Sequence, residues 1–235
     1  MRPDCKGVWS RLVDPTLHRP HRITCWRLLH GCLGCGAFLA HVRRSGSAFC
    51  MAPCCGAGDQ LDTLTHAFLR CPDSQPVVAW MVGVWRSLAG EEAAVPETPE
   101  FILADDPMGW AGAADPALHQ MWTRLRVATL GSLWHVRTSR LNALPGASFA
   151  NTVVRLAVRT LRAAIERDWS RTLEDVRQVQ GASFCTDWWR GCDAGLSRKR
   201  FIALWAQPPV FCRVEEPVGG VEILISCSSP VPVPA

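Results

Sequence analysis

The stretch from Phe49 to Pro72, FCMAPCCGAGDQLDTLTHAFLRCP, crowds four cysteines and one histidine into 24 residues. Thiolates and imidazoles are the ligands zinc prefers, and four of them close a tetrahedral structural site. The donors come in the order Cys50, then Cys54 or Cys55, then His66, then Cys71. Asp62-Thr63 reads as the N-terminus of a short helix through Leu69 that carries His66. Cys71 lies little more than one turn further on, so both donors can face one ion.

Working outward, the chain reads as mainly α: a helical domain with a small zinc-binding module and a short C-terminal β-hairpin. Pro20 suits the first turn of a helix from about Arg19, with Ile23, Trp26 and Leu29/His30 at helical spacing and Gly31 placed to end it. A short helix from about Gly36 to Arg43 precedes the cluster. Another, Pro76 to Leu88, carries the stripe Val77, Trp80, Val84 and Leu88. Residues from about Ala89 to Pro116 lack periodicity and are rich in Pro, Gly, Ala and acids, as in a linker, although Phe101-Ile102-Leu103 could dock locally.

The strongest helical signal follows, Ala117 to Leu144, with Leu118, Trp122, Leu125, Leu130, Leu133, Trp134 and Leu141 at spacings of three and four before Pro145-Gly146. Ser148 to Leu173 is expected to pair with it antiparallel, with Val154, Leu161, Ile165 and Trp169 inward. Asp187 to Ala206 reads as a Trp-rich helical segment containing Trp188-Trp189. The stretch after Pro208-Pro209 reads as two strands turning at Gly219-Gly220, and the final residues as an unstructured end. The expected organisation is therefore 1–90 with the zinc module, a linker over 91–116, a helical region over 117–207, and the hairpin and tail over 208–235.

At 235 residues and 48% hydrophobic content the chain can bury a sizeable core. Its N-terminus, MRPDCKGVWSRLVDP, lacks the apolar core of a signal peptide, and no run approaches the length of a membrane span. The twelve cysteines therefore point to a reduced, intracellular protein in which some thiols bind metal and the rest pack as small core residues, with no membrane partner. The net charge of +4 is unevenly spread: residues 1–45 sum to +6, 46–118 to −8 and 119–235 to +6. A polyanion would meet the ends rather than the acidic middle.

Trp26-Arg27-Leu28-Leu29-His30-Gly31, Leu33, the cysteine pair, and Asp62-Thr63-x-x-His66-x-x-x-x-Cys71-Pro72 together resemble the zinc-binding domain at the C-terminal end of the reverse transcriptase of non-LTR, LINE-type retrotransposons. Trp122, followed by Trp134-His135-Val136-Arg137, is similar to that family's downstream helix, with Thr138 where Asn is usual. The likeness covers roughly residues 20–170. It implies a structural Zn2+ ion, contact with RNA or DNA, and association with other domains of an element's polyprotein. The chain departs from the family in the wider spacing of its first cysteines and in Asp62 for Glu. Cys55 is favoured as second ligand because Gly56 follows it and lets the backbone turn toward the sulfur, with Cys54 as the alternative.

Other residues carry weaker signals. Arg155, Arg159 and Arg162 lie at i, i+4 and i+7, a ridge spaced to follow phosphates or simply a solvated face; Arg198-Lys199-Arg200 is a second basic cluster. Arg137 shares a stripe with Leu133, Trp134 and Leu141, so it needs a carboxylate or carbonyl partner and a structural role is expected. Trp26, Trp80, Trp122, Trp134 and Trp169 are expected in the core. Cys32-x-x-Cys35 falls in a link between helices and is not expected to bind metal. The chain has no Tyr, and among its adjacent acids Asp105-Asp106 lies in the irregular Pro/Gly tract without a flanking strand pattern, so no polymerase site of paired metal-binding carboxylates is expected. The same residues also admit a zinc-stabilised protein-interaction module and a non-functional remnant of an element.

Overall fold

The computed structural model describes residues 12, 17–42, 47–56, 60–90, 116–139, 149–180, 198–206, 211–214 and 221–223. Within them run α1 (Arg19–Leu29), α2 (Gly36–His41), α3 (Gln75–Ala89), α4 (Pro116–Ser139), α5 (Phe149–Gln180) and α6 (Arg198–Phe201), with strands β1 (Cys212–Val214) and β2 (Val221–Ile223). The protein is mainly α. β1 pairs antiparallel with β2 in the register Cys212 to Ile223. The segment between them, including Gly219-Gly220, lies outside the described residues, so the fold class rests on the helices and not on a hairpin. Also outside are nearly all of the expected linker with Phe101-Ile102-Leu103, the stretch from Leu141 to Pro145-Gly146, Trp188-Trp189 and the tail.

The centre of the fold is α4. Every residue from Met121 to Leu133 is buried, so this helix has no solvent face along that span. Helices α1, α3 and α5 pack around it, and one cluster joins Leu28, Trp85, Trp122, Leu161 and Trp205. Two of its buried hydroxyls are satisfied by bonding back one turn: Thr129 Oγ1 donates to the Leu125 carbonyl at 2.8 Å and Thr123 Oγ1 to that of His119 at 3.1 Å. Arg124, early in α4, meets Asp168, late in α5, at 3.0 Å, as an antiparallel pair of helices requires. Trp205 Nε1 donates to the same carboxylate oxygen at 2.9 Å, and the Arg124 guanidinium lies 4.5 Å from the centre of the Trp205 ring.

Helix α1 ends where expected. Gly31 has φ 65, Cys32 N–H donates to the Arg27 carbonyl at 2.9 Å, and Gly31 N–H to that of Leu28 at 3.0 Å, the paired bonds of a Schellman end. Its buried face differs from expectation. His21, Cys25 and Leu28 turn inward, whereas Ile23 is 43% and Trp26 46% exposed, the latter ring lying 4.3 Å from that of His30. The reason is tertiary: His21 sits against Gly131 of α4, where an added Cβ would collide with its Cβ and Cγ. Two stripes on α1 have helical spacing, and the one that fits this notch is buried. The other four tryptophans follow the expectation, with Trp80, Trp122 and Trp169 buried and Trp134 half-buried and stacked on Phe68 at 5.8 Å.

Candidate metal centre

Three short backbone devices assemble the donors. Phe49 and Leu61 form an antiparallel bridge, with Cys50 N–H donating to the Gln60 carbonyl at 2.8 Å and Asp62 N–H to that of Ala48 at 2.9 Å. A 3-10 turn, Pro53–Cys55, then carries the adjacent cysteines. It ends at Gly56 with φ 67 and ψ 159, a region essentially restricted to glycine, so the freedom read from the sequence at this position is used. The third device is a π turn, His66–Arg70. Its closing bond runs from Cys71 N–H to the His66 carbonyl at 2.8 Å, so residues five apart share a face.

The short helix expected through Leu69 is present, but from His66 to Arg70 it takes the wider π turn, which meets the five-residue spacing. Thr63 Oγ1 caps the helical turn that starts at Leu64 and leads into it, accepting from His66 N–H at 3.1 Å. From there the chain passes directly into α3, the Cys71 carbonyl accepting from Ser74 and Gln75 N–H.

These devices bring one donor atom from each of Cys50, Cys55, His66 and Cys71 within 4.8 Å of one another. Zn–S bonds of about 2.3 Å and Zn–N bonds of about 2.0–2.1 Å give tetrahedral edges of about 3.8 Å between sulfurs and about 3.6 Å between sulfur and nitrogen. Cys55 Sγ lies 3.6 Å from Cys71 Sγ and 3.4 Å from His66 Nε2, close to both edges. The cluster therefore fits a zinc ion in size and donor type. Cys54 Sγ is 3.8 Å from the sulfurs of both Cys55 and Cys71, yet it groups with Cys71 and Asp73 and not with the four-donor set. Cys50, His66 and Cys71 are buried, Cys55 is half-buried and Cys54 is exposed. Cys32 and Cys35 belong to neither group.

Burial lowers the His66 pKa, and the Arg137 charge adds to this, so the imidazole stays neutral and able to ligate. Burial also opposes ionisation of Cys71. The Asp73 backbone N–H, the thiols of Cys55 and Cys54, and Arg137 outweigh it and hold Cys71 below the usual thiol range. Cys55 is pushed up, first by burial and then by hydrogen bonds to Cys50, Cys71 and Cys54. Burial first, then a hydrogen bond to Asp73, pushes Cys54 up to about 11. Crowded thiols that resist shedding their protons together are what a divalent cation would reverse.

Arg137 reaches the cluster from the last turn of α4. Its Nη2 donates to Asp62 Oδ1 and to Cys50 Sγ at 3.2 Å, and its Nη1 approaches Cys71 Sγ at 3.8 Å. Asp62 Oδ2 accepts from Gly36 N–H at 2.8 Å, so one carboxylate ties Arg137 to the start of α2. The sequence required a partner for Arg137 but did not identify it: Asp62 had been read as a helix start. Its position inside the cysteine-histidine stretch was the available signal.

The remaining site expectations fall on or beside α5. Arg155, Arg159 and Arg162 are all exposed on one face of that helix. Arg198, Lys199 and Arg200 are exposed on α6, where the Arg198 guanidinium lies 5.8 Å from the centre of the Trp169 ring. Among the described residues no helix is long and apolar enough to cross a membrane.

Comparison with known proteins gives one partial likeness. Over 78 residues, 33% of this chain, it is 35% identical to the "Transposon TX1 uncharacterized 149 kDa protein" of Xenopus laevis. The match spans 5% of that protein's length. No family model matches, and no solved structure does.

Proposed function

We propose that this chain is a zinc-binding fragment of a retrotransposon reverse-transcriptase polyprotein, in which the ion is structural and the basic surfaces contact RNA or DNA. The observation that carries the reading is the closed donor set, Cys50, Cys55, His66 and Cys71 within 4.8 Å. With all four positions supplied by protein, the ion has no open site for chemistry and serves to cross-link the bridge, the 3-10 turn and the π turn. Likeness to a transposon protein supports the origin, and the order of Trp, Cys, His and Arg motifs along the chain supports its place beside a polymerase. In this reading the chain works without a catalytic centre of its own, and other domains of the polyprotein supply the chemistry.

Nucleic-acid contact is assigned to Arg155, Arg159 and Arg162, and to Arg198, Lys199 and Arg200. A surface of this kind neutralises phosphates and releases counterions, so its affinity falls as salt rises. The test is metal content and binding on one preparation. The wild-type chain holds one zinc and binds single-stranded RNA or DNA with a negative salt slope; His66→Ala loses the zinc and the order of the module together. Unchanged metal content in His66→Ala would sink the site. Absence of binding at low salt favours a second reading, a zinc-stabilised protein-interaction module. A specific observation supports that alternative: Phe49, Met51 and Leu61, around the bridge, are 40%, 82% and 53% exposed.

A further inference from the structure

The geometry points to Arg137 as the outer-sphere positioning residue of the metal centre, a hydrogen-bond donor to its thiolates that locks the loaded site to the helical core. This inference rests on the zinc reading. Three thiolates and a neutral imidazole around Zn2+ leave a net charge of about −1 on a largely buried cluster. Such a charge is costly inside a protein unless a counter-charge with directed hydrogen bonds lies beside it.

Arg137 supplies the directed hydrogen bonds from a single planar fork and shares its charge between the sulfurs and Asp62. Its two terminal nitrogens face Cys50 Sγ and Cys71 Sγ, the first and last donors along the chain. Hydrogen bonds to coordinated thiolates draw charge from sulfur and fix the direction of its lone pairs, as outer-shell partners do at metal sites generally. Asp62 holds the fork in place, while its second oxygen is fixed by Gly36 N–H. Half-burial of both side chains, 12% exposed each, keeps water from screening the arrangement.

The position of Arg137 in the chain gives the contact its second consequence. It lies in the last turn of the central helix, which is buried throughout from Met121 to Leu133, so a bond from Arg137 to the donors joins the module to the element on which the rest of the core is built. Lysine could return the charge but not the fork, because one ammonium cannot face two sulfurs and a carboxylate in a plane.

The test uses the full chain as wild type, Arg137→Gln, Arg137→Lys and Asp62→Asn, each loaded with zinc or with cobalt as a spectroscopic substitute. Zinc affinity by chelator competition should fall about 10–100-fold in Arg137→Gln, less in Arg137→Lys, and in the same direction in Asp62→Asn. The thiolate-to-cobalt charge-transfer band should move to lower energy in Arg137→Gln as the sulfurs become more electron-rich, and alkylation of the loaded thiols by iodoacetamide should speed up. A purely structural Arg137 would lower thermal stability yet leave the band and the alkylation rate of the loaded chain unchanged, and that result overturns the inference. Should Arg137→Gln fail to fold, the affinity and band in Asp62→Asn decide: wild-type values there overturn the inference. Failure of the wild-type chain to take up any metal overturns the zinc reading and this inference with it.

Discussion

Helix α4 carries two arginine-aspartate pairs with different surroundings, one near each end. Arg124 pairs with Asp168 among apolar groups, with Trp205 completing the cluster. Arg137 pairs with Asp62, and its remaining donors face sulfur. An ion pair by itself therefore does not mark a functional site; its third partner does. An indole N–H joins the first cluster and leaves it inert, whereas thiols that a cation can ionise make the second a candidate metal centre. The two ends should separate experimentally.

The largest effect is expected at the inert end. Asp168→Ala strands the buried Arg124 charge and the Trp205 N–H, and should cost about 3–5 kcal/mol of stability by denaturant unfolding. If it instead costs no more than a surface change while abolishing metal uptake, the division between the two ends is wrong. A smaller loss, about 1–3 kcal/mol, is expected for Gly131→Ala, whose new methyl would meet His21 at its Cβ and Cγ and push α1 off the core. Unchanged melting in this variant would contradict the account of why α1 buries the face it does.

Acid acts on the same contact more gently. Burial, and then the neighbouring His18 and His135, lower the His21 pKa to about 4 from the ordinary 6.5. Between those values the unfolded chain takes up the proton and the folded one does not, so the contribution is intact above the upper value and lost progressively as pH falls toward the lower. Unfolding curves across that window should show stability dropping with acid, with a reduced slope in His21→Gln. The same slope in both chains would assign the effect to other groups.

The residues differ in how far the sequence discloses them. The candidate donors were legible because metal ligation restricts residue type and spacing tightly: Cys50, His66 and Cys71 stand out in that stretch, whereas Cys54 and Cys55 stay alternatives in sequence and only the fold groups Cys55 with the other three. Gly31 and Gly56 were legible for the same kind of reason, since a positive φ favours one residue strongly. The π turn was not, because the spacing of His66 and Cys71 is compatible with more than one local path. Nor was the orientation of α1. Its two stripes are both plausible, and the choice lies in the absence of a side chain at Gly131, more than a hundred residues away. The pairings of Arg137 with Asp62 and Arg124 with Asp168 are likewise tertiary; sequence supplies the need for a counter-charge and the fold supplies its identity.

The central claim is that Cys50, Cys55, His66 and Cys71 hold one zinc ion, with the exposed Cys54 outside the set. Zinc per chain, measured by elemental analysis after purification of wild type, Cys54→Ser and Cys55→Ser, tests it most directly. The account predicts one zinc in wild type, one in Cys54→Ser, and loss in Cys55→Ser. Loss in Cys54→Ser with retention in Cys55→Ser, or no zinc in the wild-type chain, would contradict it.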